Sequence, residues 1–523
     1  MSTPQAGGLA AGEPLSRVSG RNWGAAVLYV AAAAMLLRFY DLPLKPLHHD
    51  EGVNTLFLVN LVQPPHTYKY DPTNYHGPTL YYFGWLAAFL LDLTTVAIRV
   101  VPAVAGMLTV LAFMMLRSTI GVVGALAAAS LFALSPGAVY ISRYFIHEML
   151  LVCFTVYAVV LTQLWSQRRR ALHLAGAAAA AALAFATKET ALISSGVLAI
   201  AAVSSSVVVT LPAWLDGGAP NRTAMLLPGA FATVVRNGFT AVRRSPHPLL
   251  LGVAAVIFVA VNVLFYSSFL THWPGVADAL RSFAIWTGTG TSAHVHPWHT
   301  YIRWMTAEEL PLLALGSVGA AHALWRRPNR FLVFSALWAI GTFAAYTLIP
   351  YKTPWLAVNI LAPLAICAGH ACEVAWRTGG RHRSALAAAA AVVALGSAYQ
   401  SIVLNFREYD DDRHPYVYAH TSREVLALVD EVSRLHSANR SLTVAITSPD
   451  YFPLTWYFRQ YRVGYYGKPV VTGDPLVIAS EDQEIVLDIL LAGKYQQLGV
   501  YKLRPGVRLV LYARKDLHGL ARP

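Results

Sequence analysis

Charge is the first thing this sequence lacks. Charged residues make up 13% of its 523 positions, about half the roughly 25% usual in soluble globular proteins, while 56% are hydrophobic. With a mean hydropathy of +0.47, that scarcity excludes an ordinary soluble domain and indicates an integral membrane protein. Cysteine is rarer still. Three residues cannot build a disulfide framework, and Cys153, Cys367 and Cys372 all lie in apolar runs that suit small buried hydrophobes. The 36 glycines and 29 prolines are spread without a repeat, which excludes a collagenous chain. Acidic groups number 27 against 40 Lys and Arg, for a net charge of +13. That excess does not point to nucleic acid. Residues 403–523 hold 15 basic and 14 acidic groups, whereas the first 402 hold 25 and 13, with the basic ones in short loops between apolar runs. Such a pattern reports topology rather than a surface for DNA.

Runs long enough to cross the roughly 30 Å hydrocarbon core are expected near 24–40, 96–116, 120–140, 147–166, 171–187, 190–210, 248–266, 308–325, 331–349, 354–376 and 385–402. The fold class is therefore a polytopic α-helical membrane protein with about 11 transmembrane helices. The first run begins after residue 22 without a convincing cleavage site, so no cleavable signal peptide is expected. With the N-terminus, Arg17 and Arg21 in the cytoplasm of a cell (inner) membrane, alternate loops carry Arg117; Arg168–Arg170; Arg222, Arg236, Arg243 and Arg244; Arg326, Arg327 and Arg330; and Arg377, Arg381 and Arg383. That arrangement obeys the positive-inside rule. Counting the apolar segment Thr79–Leu91 as a span would invert every later loop. It is expected instead as a juxtamembrane helix within the long first outer loop, residues 41–95. Residues 1–402 then form the membrane domain, and residues 403–523 form an extracytoplasmic α/β domain. There Thr421–Glu424 reads as a capping box opening a helix to about Ser437, Leu442–Ile446 as a buried strand, Glu481–Leu491 as a second helix, and Leu498–Leu503 with Val507–Ala513 as a hairpin. Asp410–Asp412 reads as a solvated linker.

Candidate chemistry gathers in the outer loops. The first holds His48-His49-Asp50-Glu51-Gly52, then Asn74-Tyr75-His76-Gly77-Pro78. Two adjacent carboxylates at a membrane surface can supply a general base, bind a cation, or simply cap a helix. The second outer loop, Ser142–Glu148, carries Arg143, His147 and Glu148, and a helical continuation would align the Arg and His on one face. Such groups are costly at membrane depth unless paired or facing a wet cavity. Lys188-Glu189 separates two apolar runs, so Lys188 either snorkels to the interface or holds a lipid phosphate. Arg281, His294-Val295-His296-Pro297-Trp298-His299 and Tyr351-Lys352-Thr353-Pro354-Trp355 complete the rim. The three histidines raise a divalent metal without fixing a ligand set, so the metal stays unknown. Arg99, Lys188 and Lys352 together would make a cationic collar for an anionic leaving group. The sequon Asn221-Arg222-Thr223 falls in a predicted cytoplasmic loop and reads as chance.

These motifs resemble the GT-C glycosyltransferases, polytopic enzymes that take sugars from polyprenyl-phosphate carriers, in the branch of the protein O-mannosyltransferases and lipid A aminoarabinose transferases. Within that branch, His48–Gly52, Tyr75–Pro78, Tyr351–Leu356, Pro415–His420 and Pro449–Pro453 resemble the Agl23-like, flippase-activity-associated family. The resemblance implies Asp50 as catalytic base, Glu51 as its neighbour in the acidic motif, and Glu148 at the position of a second acid. It implies Arg99, Arg143, His147, Lys188, Tyr351, Lys352 and Trp355 around the substrate. The partners implied are a polyprenyl-phosphate-linked sugar donor, the bilayer, and a protein, lipid or glycan acceptor, but no nucleic acid. An inverting displacement on the extracytoplasmic side follows. A lipid-linked-sugar flippase and a non-catalytic partner remain as alternatives; a transporter would carry internal repeats and midplane charges, and neither is evident.

Overall fold

The computed structural model describes residues 20–216, 248–289 and 294–517. The expected cytoplasmic cluster Arg222–Arg244 and the sequon at Asn221 lie outside the described residues. Helices occupy all eleven predicted runs: α1 Gly20–Phe39, α4 Thr95–Met114, α5 Val122–Leu134 with α6 Pro136–Ser142, α7 Glu148–Arg168, α8 Ala171–Phe185, α9 Ala191–Asp216, α10 Pro248–Tyr266, α11 Leu310–Arg326, α12 Arg330–Leu348, α13 Ala357–Thr378 and α14 Arg383–Ile402. Two further helices, α2 His49–Val62 and α3 Thr79–Leu91, fill the first outer loop. Among the described residues, eight helices are long and apolar enough to cross a membrane.

The third predicted span is not straight. α5 and α6 meet at 63°, because Pro136 cannot continue the ladder and Ser135 caps a new helix by accepting from the Ala138 N–H. Such a break leaves carbonyls without intrahelical donors. Arg38, buried on α1, donates to two of them, Ala133 O at 2.9 Å and Phe132 O at 3.2 Å. α3 has 13 residues, about 20 Å of helix. That is short of the hydrocarbon thickness, and its outer side exposes Trp85, Leu86, Phe89 and Leu90. α13 is the buried centre of the bundle. A Cβ at Gly369 would stand 2.3 Å from Gly124 O on α5, so only a residue without one permits this approach.

The tail folds into a five-stranded mixed sheet, β1 Thr443–Ile446, β2 Arg462–Tyr465, β3 Leu476–Ser480, β4 Tyr495–Arg504 and β5 Val507–Arg514, in the order β2-β1-β3-β5-β4. β2 and β3 were not legible as strands. Helices α15 Val425–Ala438 and α16 Glu484–Leu491 pack on it. Two expectations need correction. α15 starts one residue beyond the predicted capping box, which does not form: Glu424 caps without a side-chain bond, and the Ser422 hydroxyl accepts only from the Glu424 N–H. Nor is Asp410–Asp412 a free linker. Asp410 accepts from the Arg423 N–H and guanidinium, Asp411 from Arg413. Nearby, His414 bridges Glu308 and Glu408 at 2.7 and 2.8 Å, and the hydrogen bond to Glu308, opposed by burial and helped by Glu408, lifts its pKa to about 9.

The tail is seated on α2. A Cβ on Gly52 would lie 2.7 Å from Pro453 Cα, and Leu47 N–H donates to the Tyr457 hydroxyl at 2.9 Å. Two motifs 400 residues apart are thus one contact. Gly52→Ala should cost about 1–3 kcal/mol through overpacking against backbone. Thermal unfolding of the purified variant checks this; an unchanged melting temperature would show that the seat has slack.

Candidate active site between the membrane domain and the tail

The first outer loop enters α2 through a capping box built by its own motif. His48 is the N-cap and accepts from the Asp50 N–H through Nδ1 at 3.1 Å, while the Glu51 carboxylate accepts from the His48 N–H at 3.0 Å. With Nδ1 accepting, the His48 proton sits on Nε2, which donates to Tyr418 O at 3.0 Å. The two carboxylates of the acidic pair then point to different places. Glu51 is fully buried and bound by Arg99, Nε to Oε1 at 2.8 Å and Nη2 to Oε2 at 2.6 Å, and it accepts from the Phe145 N–H at 2.9 Å. Burial favours its neutral form, but the Arg99 charge and these hydrogen bonds prevail and hold its pKa below the usual value. Asp50 instead lines a cavity of about 410 Å³. Its side chain is 39% exposed, and His48 Nδ1, which carries no proton here, is 3.9 Å away.

The opposite wall of the cavity is the turn between α8 and α9. The loop Tyr75–Pro78 docks there, Gly77 N–H on Thr187 O and Thr79 N–H on Ala186 O. A Cβ on Gly77 would stand 2.0 Å from Ala186 O, so glycine is required at that contact. This places His76 Nδ1 2.8 Å from the Glu189 carboxylate. Lys188 pairs with Glu148, the first residue of α7. Burial works against the Lys188 ammonium, yet Glu148 and Glu189 outweigh it and raise its pKa. Lys188 is therefore not a snorkelling group; it is 6% exposed within a charged cluster. His147 lies tilted against His76, with ring centroids 4.7 Å apart, and its Nε2 has no partner. Burial, then His76 and Lys188, push its pKa well down, leaving a neutral imidazole. Tyr351 and Trp355 line the same cavity.

Four sequence candidates stand elsewhere. Arg99 is fully buried behind Glu51, and also holds the carbonyls of Leu42 and Lys45. Arg143 does not continue a helix toward His147; α6 ends at Ser142, and Arg143 donates to Tyr40 O at 2.6 Å and Asp41 O at 2.7 Å past the end of α1. Lys352 is buried with Nζ on Ile349 O at 2.6 Å, and Glu51 has no face on the cavity. The expected collar of three cations thus reduces to Lys188. The structure adds residues that sequence reasoning quoted only as motif or passed over: His76, Glu189, His49, Tyr418 and His294. It also adds Arg504 from the end of β4, held by Asp450 and reaching His49 Nδ1 at 3.4 Å. The three histidines of the rim do not form one cluster: His294 Nδ1 meets the Tyr418 hydroxyl at 2.9 Å, His296 packs between Trp304 and Tyr418, and His299 on Trp298. Among the described residues no three His, Cys, Asp or Glu side chains converge as a metal site, so no step is assigned to a metal.

The roles of the acidic pair separate experimentally. Glu51→Gln leaves the Arg99 guanidinium buried without its anion and should cost roughly 3–5 kcal/mol, seen as a fall in melting temperature and yield. Asp50→Asn should leave both unchanged.

Comparison with known proteins agrees with this architecture. Residues 75–218 match the family described as dolichyl-phosphate-mannose-protein mannosyltransferase. The apo crystal structure of ArnT from Cupriavidus metallidurans superposes with a TM-score of 0.66 at 16% identity, covering 96% of this chain and 99% of that one. The same protein bound to undecaprenyl phosphate gives 0.65 at 16%, covering 97% and 100%. The Archaeoglobus fulgidus oligosaccharyltransferase, in complex with Zn and sulfate, gives 0.50 at 15%, covering 92% and 73%. No curated protein sequence matches. Residues 75–218 are thus similar to a mannosyltransferase segment, and nearly the whole chain shares the fold of ArnT.

Proposed function

We propose that this protein transfers a sugar from a polyprenyl-phosphate carrier to an acceptor hydroxyl on the extracytoplasmic side of the membrane, by an inverting displacement. The observation that carries the reading is a single cavity lined by both Asp50, a carboxylate without a strong partner, and Lys188, an ammonium kept charged by its neighbours. Asp50 removes the acceptor proton as the oxygen attacks the anomeric carbon, and the bond to the carrier phosphate breaks on the opposite side of that carbon. Lys188 meets the charge that develops on the departing phosphate, where a buried cation has most effect. Glu148 acts through Lys188, holding its ammonium in place, rather than on the substrate. The neutral His147, with Nε2 unpartnered, offers a hydrogen bond to the sugar, and Tyr351 and Trp355 offer faces for its ring. Glu51, Arg99 and Arg143 build the frame. The undecaprenyl phosphate bound by the ArnT relative supports a carrier of this class. The arginine parity supports a cavity and tail outside, with Arg168–Arg170 at the far end of α7 inside. The Agl23-like motifs fit the same reading, with all five of them at or beside the cavity.

Purified protein assayed with a panel of polyprenyl-phosphate sugars tests this. Asp50→Asn should lower turnover about 10²–10⁴-fold with donor affinity retained; a variant as fast as the parent excludes Asp50 as the base. Lys188→Ala should lose donor affinity, and also stability, because Glu148 and Glu189 are left uncompensated. Pairing it with Glu148→Gln should restore the melting temperature and not the affinity. Recovery of both would assign Lys188 a structural role alone.

A further inference from the structure

A second cavity, of about 780 Å³, lies at the other end of α7. Glu148 at the start of that helix lines the catalytic cavity, whereas Ser166 and Gln167 near its end line the second. Eighteen residues at 1.5 Å per residue separate Glu148 from Ser166, about 27 Å, which is close to the hydrocarbon thickness. α12 repeats the arrangement, with Tyr346 on the catalytic cavity and Arg330 on the second. The two cavities therefore open toward opposite faces of the membrane.

The second cavity is polar at its mouth and apolar in its walls. Ser118 donates to Gln167 Oε1 at 3.2 Å, and Gln167 Nε2 donates to the Thr119 hydroxyl at 3.0 Å, so one rim is a chain of hydroxyl and amide groups. Arg330 stands on the other rim, exposed, with Nη2 on Ala202 O at 3.2 Å. Leu198, Phe331 and Phe334 form the walls, and among the described residues the lining contains no acidic one. Arg168–Arg170 follow Gln167 directly, and Arg326 and Arg327 come shortly before Arg330. Among the described residues none of these six arginines pairs with a carboxylate, although other arginines do so in Arg99–Glu51 and Arg377–Glu373. Arg330 on the rim, with the neighbouring loop arginines adding to the positive field, calls for an anion, while the apolar walls call for hydrocarbon. A soluble phosphate would leave the walls wet, and a prenyl chain alone would leave the guanidinium and amides without partners.

We propose that this cleft binds an anionic glycerophospholipid from the leaflet opposite the catalytic one, its phosphate at Arg330 and an acyl chain between Leu198 and Phe334. The site joins the ends of α7 and α12 away from the catalytic cavity to the middle of α9. It stands whether or not the proposed transfer reaction does.

Native mass spectrometry of the full-length protein in mild detergent tests it, with phosphatidylglycerol, phosphatidylcholine and polyprenyl monophosphate titrated separately and in competition. The expected result is one phosphatidylglycerol retained per chain under conditions that strip phosphatidylcholine. Arg330→Gln should weaken that binding about tenfold, through loss of a charge-assisted hydrogen bond. Leu198→Trp, which fills the wall and leaves the charge alone, should weaken it comparably, so a folding defect in one variant does not decide the matter. Equal retention of phosphatidylcholine overturns the proposal, as does unaltered phosphatidylglycerol binding in both variants. Displacement of phosphatidylglycerol by polyprenyl monophosphate would also overturn it, by assigning the cleft to the carrier.

Discussion

The buried pair between Glu51 and Arg99 is the constraint on which the outer half of this molecule depends. One carboxylate with no solvent exposure takes two bonds from Arg99 on α4, one from the start of α2 and one from the loop before α7. Removing two charges from water is costly, and only this saturation of hydrogen bonds offsets it. The gain is geometric. The pair fixes the register of α2 against the bundle, and with it the direction in which the preceding residue, Asp50, must point. Two adjacent acids of nearly the same chemistry thus end in different surroundings, Glu51 buried on Arg99 and Asp50 facing the cavity.

A similar balance governs the other wall. Lys188 lies too deep to be stable as an isolated ammonium, and Glu148 and Glu189 would be too costly as isolated anions. Together, with His76 against Glu189, they form a cluster in which every charge has a partner. A cavity with one free carboxylate and one buried, balanced cation suits a reaction that takes up a proton at one end and releases an anion at the other.

Much of this could be read in the sequence, for identifiable reasons. Apolar runs are strong signals, and all eleven became helices, eight of them long and apolar enough to span among the described residues; the bend at Pro136 needed only closer reading of Ser135-Pro136. Asp50, His147, Lys188, Tyr351 and Trp355 converge on one cavity although as many as 305 positions separate them. Their motifs were visible because each combines polar and aromatic residues beside an apolar run. Arg99, Arg143 and Lys352 were misplaced for the opposite reason: a cation in a membrane protein looks the same in sequence whether it faces a cavity or caps carbonyls. His76 and Glu189 belong to visible motifs, but their pairing spans 113 residues. Arg504 gave no signal at all, since its position depends on how the β4–β5 hairpin sits on α2. β2 and β3 were missed although β1, no longer than either, was read from its apolar run.

The most direct measurement is a cryo-electron microscopy map of the full-length protein with polyprenyl monophosphate bound. The account predicts phosphate density within hydrogen-bonding distance of Lys188 Nζ, with the prenyl chain leaving between membrane helices and the Asp50 side of the cavity open. Density for the phosphate on Arg99, Arg143 or Lys352, or outside this cavity, would contradict it.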